Sequence, residues 1–190
     1  KSNALHTSIS KLETSFTIEN FKNAQQHLVE VSQVYAKMYA FNIGEAKNQF
    51  MNRKINFWPV YNISIEKTIN AGNFNQEFIS NLGSAAKNLP GLNYLLFKHK
   101  DVQNALSEYS SNSNRVHFLI LVSNEFHERV KELYRIWSST GSDYANLLKN
   151  NDATGLLSSF NLIYNGLYNV IDNCKVTKIG KPAGLEKSSH

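Results

Sequence analysis

The sequence predicts an all-α protein, an up-and-down bundle of long amphipathic helices joined by short capping helices. Two observations carry this expectation. Apolar residues return every three or four positions along three long stretches, which is the period of one helix face. No stretch sustains the apolar–polar alternation of a strand; in NISIEKTI, residues 62–69, it is brief and its surroundings are helical. With 190 residues, 42% hydrophobic and 18% charged, the chain is long enough for one domain with a hydrophobic core. The expected division is a single bundle over residues 1–185 and a tail over 186–190 that reads as an interrupted chain.

The elements follow in order. Leu5, Ile9, Leu12 and Phe16 share helical spacing and predict a short opening helix. Phe21, Ala24, Leu28, Val31, Tyr35 and Met38 mark a long helix over 17–42, with Thr17 as its cap and Glu19 in the first turn, where the helix dipole favours an acid. Trp58-Pro59 is expected to open a helix with Pro at its first position and with Tyr61, Ile65 and Ile69 on its apolar side. A short helix over 75–82 stops at Gly83, and Pro90 starts another over 89–99. After a loop at 110–114, Val116, Leu119, Ser123, Phe126, Val130, Leu133 and Trp137 form the second long stripe, with Glu125 and Arg129 paired i,i+4 on the outer face. A loop at 138–143 leads to the third stripe, Leu156, Phe160, Ile163, Leu167, Val170 and Cys174, capped by Asp152 or Thr154 and ended by the segment from Gly180 to Gly184. Narrow stripes on long helices call for mutual packing.

Composition narrows the function classes. The net charge is +5, yet the basic residues are scattered, whereas nucleic-acid binding rewards phosphate contacts made together. The densest group, Lys175, Lys178, Lys181 and Lys187, reads as a solvated helix terminus. No run approaches the ~20 apolar residues that cross a bilayer. The start, KSNALHTSIS, lacks the zones of a signal peptide, so either the protein is cytoplasmic or a leader has been removed. The one cysteine, Cys174, excludes an internal disulfide and falls on the last stripe, where it reads as a small buried hydrophobe.

Motifs alone supply no catalyst. The six histidines form no H-x-x-x-H or H-E-x-x-H pair, and His117 and His127 stand about 15 Å apart along a helix, too far for one ion. His127 and Glu128 are neighbours that point about 100° apart. Glu125, Glu128 and Glu132 read as partners of Arg129, Lys131 and Arg135. There is no phosphate-cradling glycine loop and no G-x-S-x-G elbow. Phe57, Trp58, Tyr94, Phe97, Phe126 and Trp137 read as core.

Three segments taken in order resemble the imelysin-like family, peptidase family M75. They are INFWPVYNISIEKTINAG at 55–72, LPGLNYLLF at 89–97 and KIGKPAGL at 178–185. The resemblance implies an all-helical fold of two related bundles, of which this chain is the first, and export to the periplasm or cell surface, often as a lipoprotein. It implies a peptidase or a protein of iron uptake. The family's metal motif is G-x-H-x-x-E; set against the Y-L-L-F anchor, its three positions hold Asn88, Pro90 and Asn93 here. Proline offers no donor atom and asparagine only a neutral oxygen that is no general base.

The expected function is therefore a non-catalytic, extracytoplasmic binding protein linked to iron, metal or haem acquisition. Asn88, Pro90, Gly91, Asn93 and Tyr94 are its candidate binding region, and no cofactor is expected from this chain. Expected partners are the second half of the same protein and a small ligand or a metal- or haem-related one. Two alternatives stand beside it: a metallopeptidase whose ligands come from that second half or from Glu125, His127 and Glu128, and a purely structural or protein-interaction bundle.

Overall fold

The computed structural model describes residues 1–185, which are helical for most of their length and contain no strand. The expected tail at 186–190, with Lys187, lies outside the described residues. In order the helices are α1 (Ser2–Thr14), α2 (Ile18–Met38), α3 (Gly44–Asn48), α4 (Met51–Ile55), α5 (Asn62–Ala71), α6 (Gln76–Asn81), α7 (Leu89–Phe97), α8 (Val102–Ser111), α9 (Ser113–Trp137), α10 (Tyr144–Lys149) and α11 (Ser159–Asp172). A π-helical stretch, Asn173–Gly180, follows α11. No described helix is long and apolar enough to cross a membrane. The described chain forms two compact units: residues 1–35 with 51–134, and residues 36–50 with 135–185.

In the first unit, side-chain caps start several helices by accepting otherwise orphaned backbone N–H groups. Thr17 Oγ1 accepts from Asn20 N at 3.2 Å, as expected, and Asn75 Oδ1 accepts from Phe78 N at 2.9 Å. α1 buries Leu5, Ile9 and Leu12, and α2 buries Phe21, Ala24, Leu28 and Val31. Each such fully buried large side chain contributes about 2 kcal/mol. Lys1 and Glu30, 2.7 Å apart, form an exposed pair that solvent and salt screen, so it adds little. Apolar burial therefore anchors α1.

The central helix departs from the expected stripe. From Phe118 to Ser123 every residue of α9 is buried, because Phe118-Leu119-Ile120-Leu121-Val122 carries apolar groups all round the helix. The expected loop at 110–114 shrinks to Asn112 alone, whose Oδ1 accepts from Asn114 N at 3.1 Å and so restarts the helix. Proline does not open α5, which begins at Asn62. The Trp58–Pro59 peptide is cis, and Tyr61 donates its N–H to the Ala85 carbonyl at 2.9 Å, a tertiary acceptor that holds this segment out of the helix. Trp58, Tyr61 and Phe97 are exposed, not core.

In the second unit the last helix also differs from expectation. Ser158, not Asp152 or Thr154, caps α11, with its Oγ accepting from Asn161 N at 3.2 Å. Residues Gly155–Leu157 form a 3-10 turn that delays the start. α11 turns Gly166 inward, where an added Cβ would stand 2.4 Å from the Ala40 carbonyl oxygen. The expected stripe does not face the core: Leu156 in the 3-10 turn and Phe160 and Leu167 on α11 are exposed, and Cys174 is an exposed thiol, not a buried one. Trp137 packs edge-on against Phe41 and Tyr144, with ring centroids 6.0 and 5.2 Å away.

Candidate functional site

The five residues of the expected binding region are divided by α7. Asn88 is fully buried and caps the helix. Its Oδ1 accepts from Gly91 N at 3.5 Å and its Nδ2 donates to the Phe57 carbonyl at 3.4 Å. Pro90 sits in the first turn, where its missing N–H leaves nothing unpaired. Gly91 lies against the Ala86 carbonyl, which a Cβ would approach to 3.2 Å. Asn93 is exposed. Only Tyr94 reaches other polar side chains. These positions build a helix start.

Tyr94 opens onto an ion-pair cluster joining α5, α7, α8 and α9. Its hydroxyl donates to Glu66 Oε1 at 2.6 Å. Arg115, 3% exposed, donates from Nη2 to Glu66 and lies 3.0 Å from Glu108 Oε1. Lys98 bridges the same two acids at 3.2 and 2.6 Å, and His99 Nε2 lies 2.7 Å from Glu108 Oε2. Arg115 also stands over the Tyr109 ring, 5.8 Å from its centroid. Burial alone would raise the Glu66 carboxyl; hydrogen bonds from Arg115 and Tyr94 and the Arg115 charge outweigh it and hold it at about 2. Glu108 is lowered in the same way, against its burial, by Lys98, His99 and Arg115. Burial, then the bond to Glu66, raises the Tyr94 phenol, so it remains a donor.

The other candidate residues come together elsewhere. Glu125, placed by the sequence on an outer face, is buried, because cations accompany it. Lys87 Nζ lies 3.4 Å from Oε1, Arg129 Nε 3.2 Å from the same oxygen, and Ser80 Oγ donates to Oε2 at 2.9 Å. Burial lowers the Lys87 ammonium, and the Glu125 charge counters part of that fall. Two residues on, the His127 ring stacks on His6 of α1 with centroids 4.8 Å apart and planes 7° from parallel. The buried Nδ1 of each ring has no hydrogen-bond partner. Burial first, then the neighbouring His6 and Lys131, hold the His127 pKa below its ordinary value. Glu128 is exposed and accepts from Lys131 at 2.8 Å.

Glu125, His127 and Glu128 thus share one cavity of about 520 Å³ with His6, Gln76 and Asn124. Gln76 is braced by donating to the Leu121 carbonyl at 3.3 Å and accepting from Asn124 Nδ2 at 3.2 Å. Among the described residues, no three His, Cys, Asp or Glu side chains are grouped so as to hold a metal ion. The cavity offers amide and imidazole groups beside carboxylates already held by cations. That set can recognise a polar molecule.

Sequence reading missed His6, Lys87 and Arg115. His6 lies 121 positions from its ring partner, and no local spacing marks such a pair. Glu66 was visible within the segment at 55–72, without its role.

No curated protein and no solved structure matches the chain. The family model described as imelysin, peptidase M75, matches residues 1–190. An all-α chain matched over its whole length by that model, with the family-like segments at α5, α7 and the end of the π-helical stretch, belongs to the imelysin family.

Proposed function

We propose that this chain is a non-catalytic, extracytoplasmic binding protein of the imelysin family that takes a small polar ligand in the cavity between α1, α6 and α9. One observation carries the reading: a cavity of about 520 Å³ is lined by braced amides and an imidazole pair, while its buried carboxylate, Glu125, is neutralised by Lys87 and Arg129. A carboxylate held in that way recognises and positions; it does not take up a substrate proton. The positions of the family motif support the same reading, since Asn88, Pro90 and Asn93 serve as cap, first turn and surface. The resemblance to proteins of iron and haem acquisition makes a metal chelate, contacted through its polar periphery, the first ligand class to test.

The test is calorimetric titration of the purified chain with ferric citrate and with haemin, beside a casein-cleavage assay with and without chelator. Saturable binding that Asn124→Ala and Gln76→Ala each weaken about tenfold supports the reading. Chelator-sensitive cleavage lost in Glu125→Gln would sink it and favour the metallopeptidase alternative.

A further inference from the structure

A second cavity, of about 560 Å³, lies between the end of α1, the end of α8 and the first turns of α9. It shares no lining residue with the cavity proposed above for a polar ligand. Its floor is apolar. Leu12, Tyr109 and Ile120 are buried there, and the half-buried Phe16 ring stacks on Tyr109 with centroids 5.0 Å apart and planes 21° from parallel. The Tyr109 hydroxyl is taken up by the Leu95 carbonyl at 3.0 Å, so this residue offers ring surface. The rim carries one acid and no base: of the Asp, Glu, Lys and Arg side chains, Glu13 alone lines the cavity, and it is exposed. Among the described residues Glu13 makes neither an ion pair nor a side-chain hydrogen bond. Arg115, next to the lining residues Asn114 and Val116, does not neutralise it, because its guanidinium is held by Glu66 and Glu108.

We propose that this cavity binds an amphipathic organic cation, with its ammonium group at Glu13 and its apolar body on Phe16 and Tyr109. A hollow of this volume with an apolar floor and few polar groups suits a small molecule. The aromatic rings attract a cation held near their faces as well as an apolar body. An anion would meet the Glu13 charge, and the start of α9 does not compensate for it. Asn114 N there is taken by Asn112 Oδ1 at 3.1 Å and Arg115 N by the Asn112 carbonyl at 3.0 Å. A bare metal ion would find a single carboxylate, too few donors to replace its water. The site is independent of the ligand reading given above.

Nuclear magnetic resonance titration of the full chain at pH 7 with phenethylammonium tests it, with 3-phenylpropionate as the anion of similar size and shape. The expected result is saturable amide shifts centred on residues 12–16, 109–110 and 113–117, and at least tenfold tighter binding of the cation than of the anion. Glu13→Gln alters an exposed side chain and is expected to weaken the cation at least fivefold. Phe16→Leu keeps an apolar side chain but removes the ring, and is expected to weaken it at least threefold; should that variant fail to fold, Glu13→Gln still decides. No saturable shift, equal affinity for the two probes, or cation binding unchanged in Glu13→Gln overturns the proposal. Shifts centred on Gln76 and Asn124 would assign the cation to the other cavity and overturn it as well.

Discussion

Arg115 of α9 donates to Glu66 of α5 from a position 3% exposed to solvent, and Tyr94 of α7 donates to the same carboxylate at 2.6 Å. One acid therefore ties three helices together. Removing a single partner of such a pair leaves a charge without compensation, whereas the intact cluster balances two acids with two bases.

Arg115→Leu is expected to destabilise the first unit by about 3 kcal/mol, the lower part of the range for broken buried pairs, because Glu66 and Glu108 retain Lys98 and some solvent. Urea unfolding monitored by circular dichroism measures this. A loss below about 1 kcal/mol would show that the guanidinium is not a structural centre.

The depressed Glu66 carboxyl fixes the direction of a pH effect. Its folded value of about 2 lies below the ordinary 4.5, so its stabilisation is complete above pH 4.5 and is lost as pH falls towards 2. The shift corresponds to about 3 kcal/mol at most, and screening at a carboxylate that is 26% exposed reduces it to about 2 kcal/mol. Unfolding free energies at pH 6, 4 and 2.5 should fall more steeply for the wild type than for Glu66→Gln. Parallel curves would contradict the assignment.

Within α7, two asparagines should behave oppositely. Asn88→Ala removes a buried cap and is expected to cost about 1 kcal/mol or somewhat more. Asn93→Ala alters an exposed side chain and is expected to stay within about 0.5 kcal/mol. Comparing their melting temperatures decides between a helix start and a binding site at these positions.

Gly166 is closed to any side chain. A Cβ there would stand 2.4 Å from the Ala40 carbonyl and 2.8 Å from Ile43 Cγ2, so Gly166→Ala should destabilise the second unit by about 1–3 kcal/mol. Backbone cannot yield as a flexible side chain does. An unchanged melting curve would mean that α11 does not pack through this face.

Cys174 should react with a thiol reagent in the native protein without added denaturant, because its side chain is exposed. Labelling that appears only on unfolding would restore the buried position expected from the apolar stripe.

Helical periodicity and capping are local, and the sequence made them readable. Thr17 and the helix start at Asn75 need only their next three residues, whereas Asn88, read as part of a binding region, proved to be a cap. The orientation of α11 was not readable in the same way. Its apolar stripe has the correct period, yet the helix packs through Gly166, since close backbone approach to Ala40 decided which face turned inward.

By itself the sequence determined the all-α class, the family-like segments and the absence of catalytic donors at Asn88, Pro90 and Asn93. Tertiary structure alone decided that Glu66 meets Arg115, that Ser80 meets Glu125 and that His6 meets His127. Periodicity states which residues share one helix face, because that depends on a fixed rise and turn per residue. Which faces meet depends on how buried volumes fit together across helices, and no spacing along the chain carries that information.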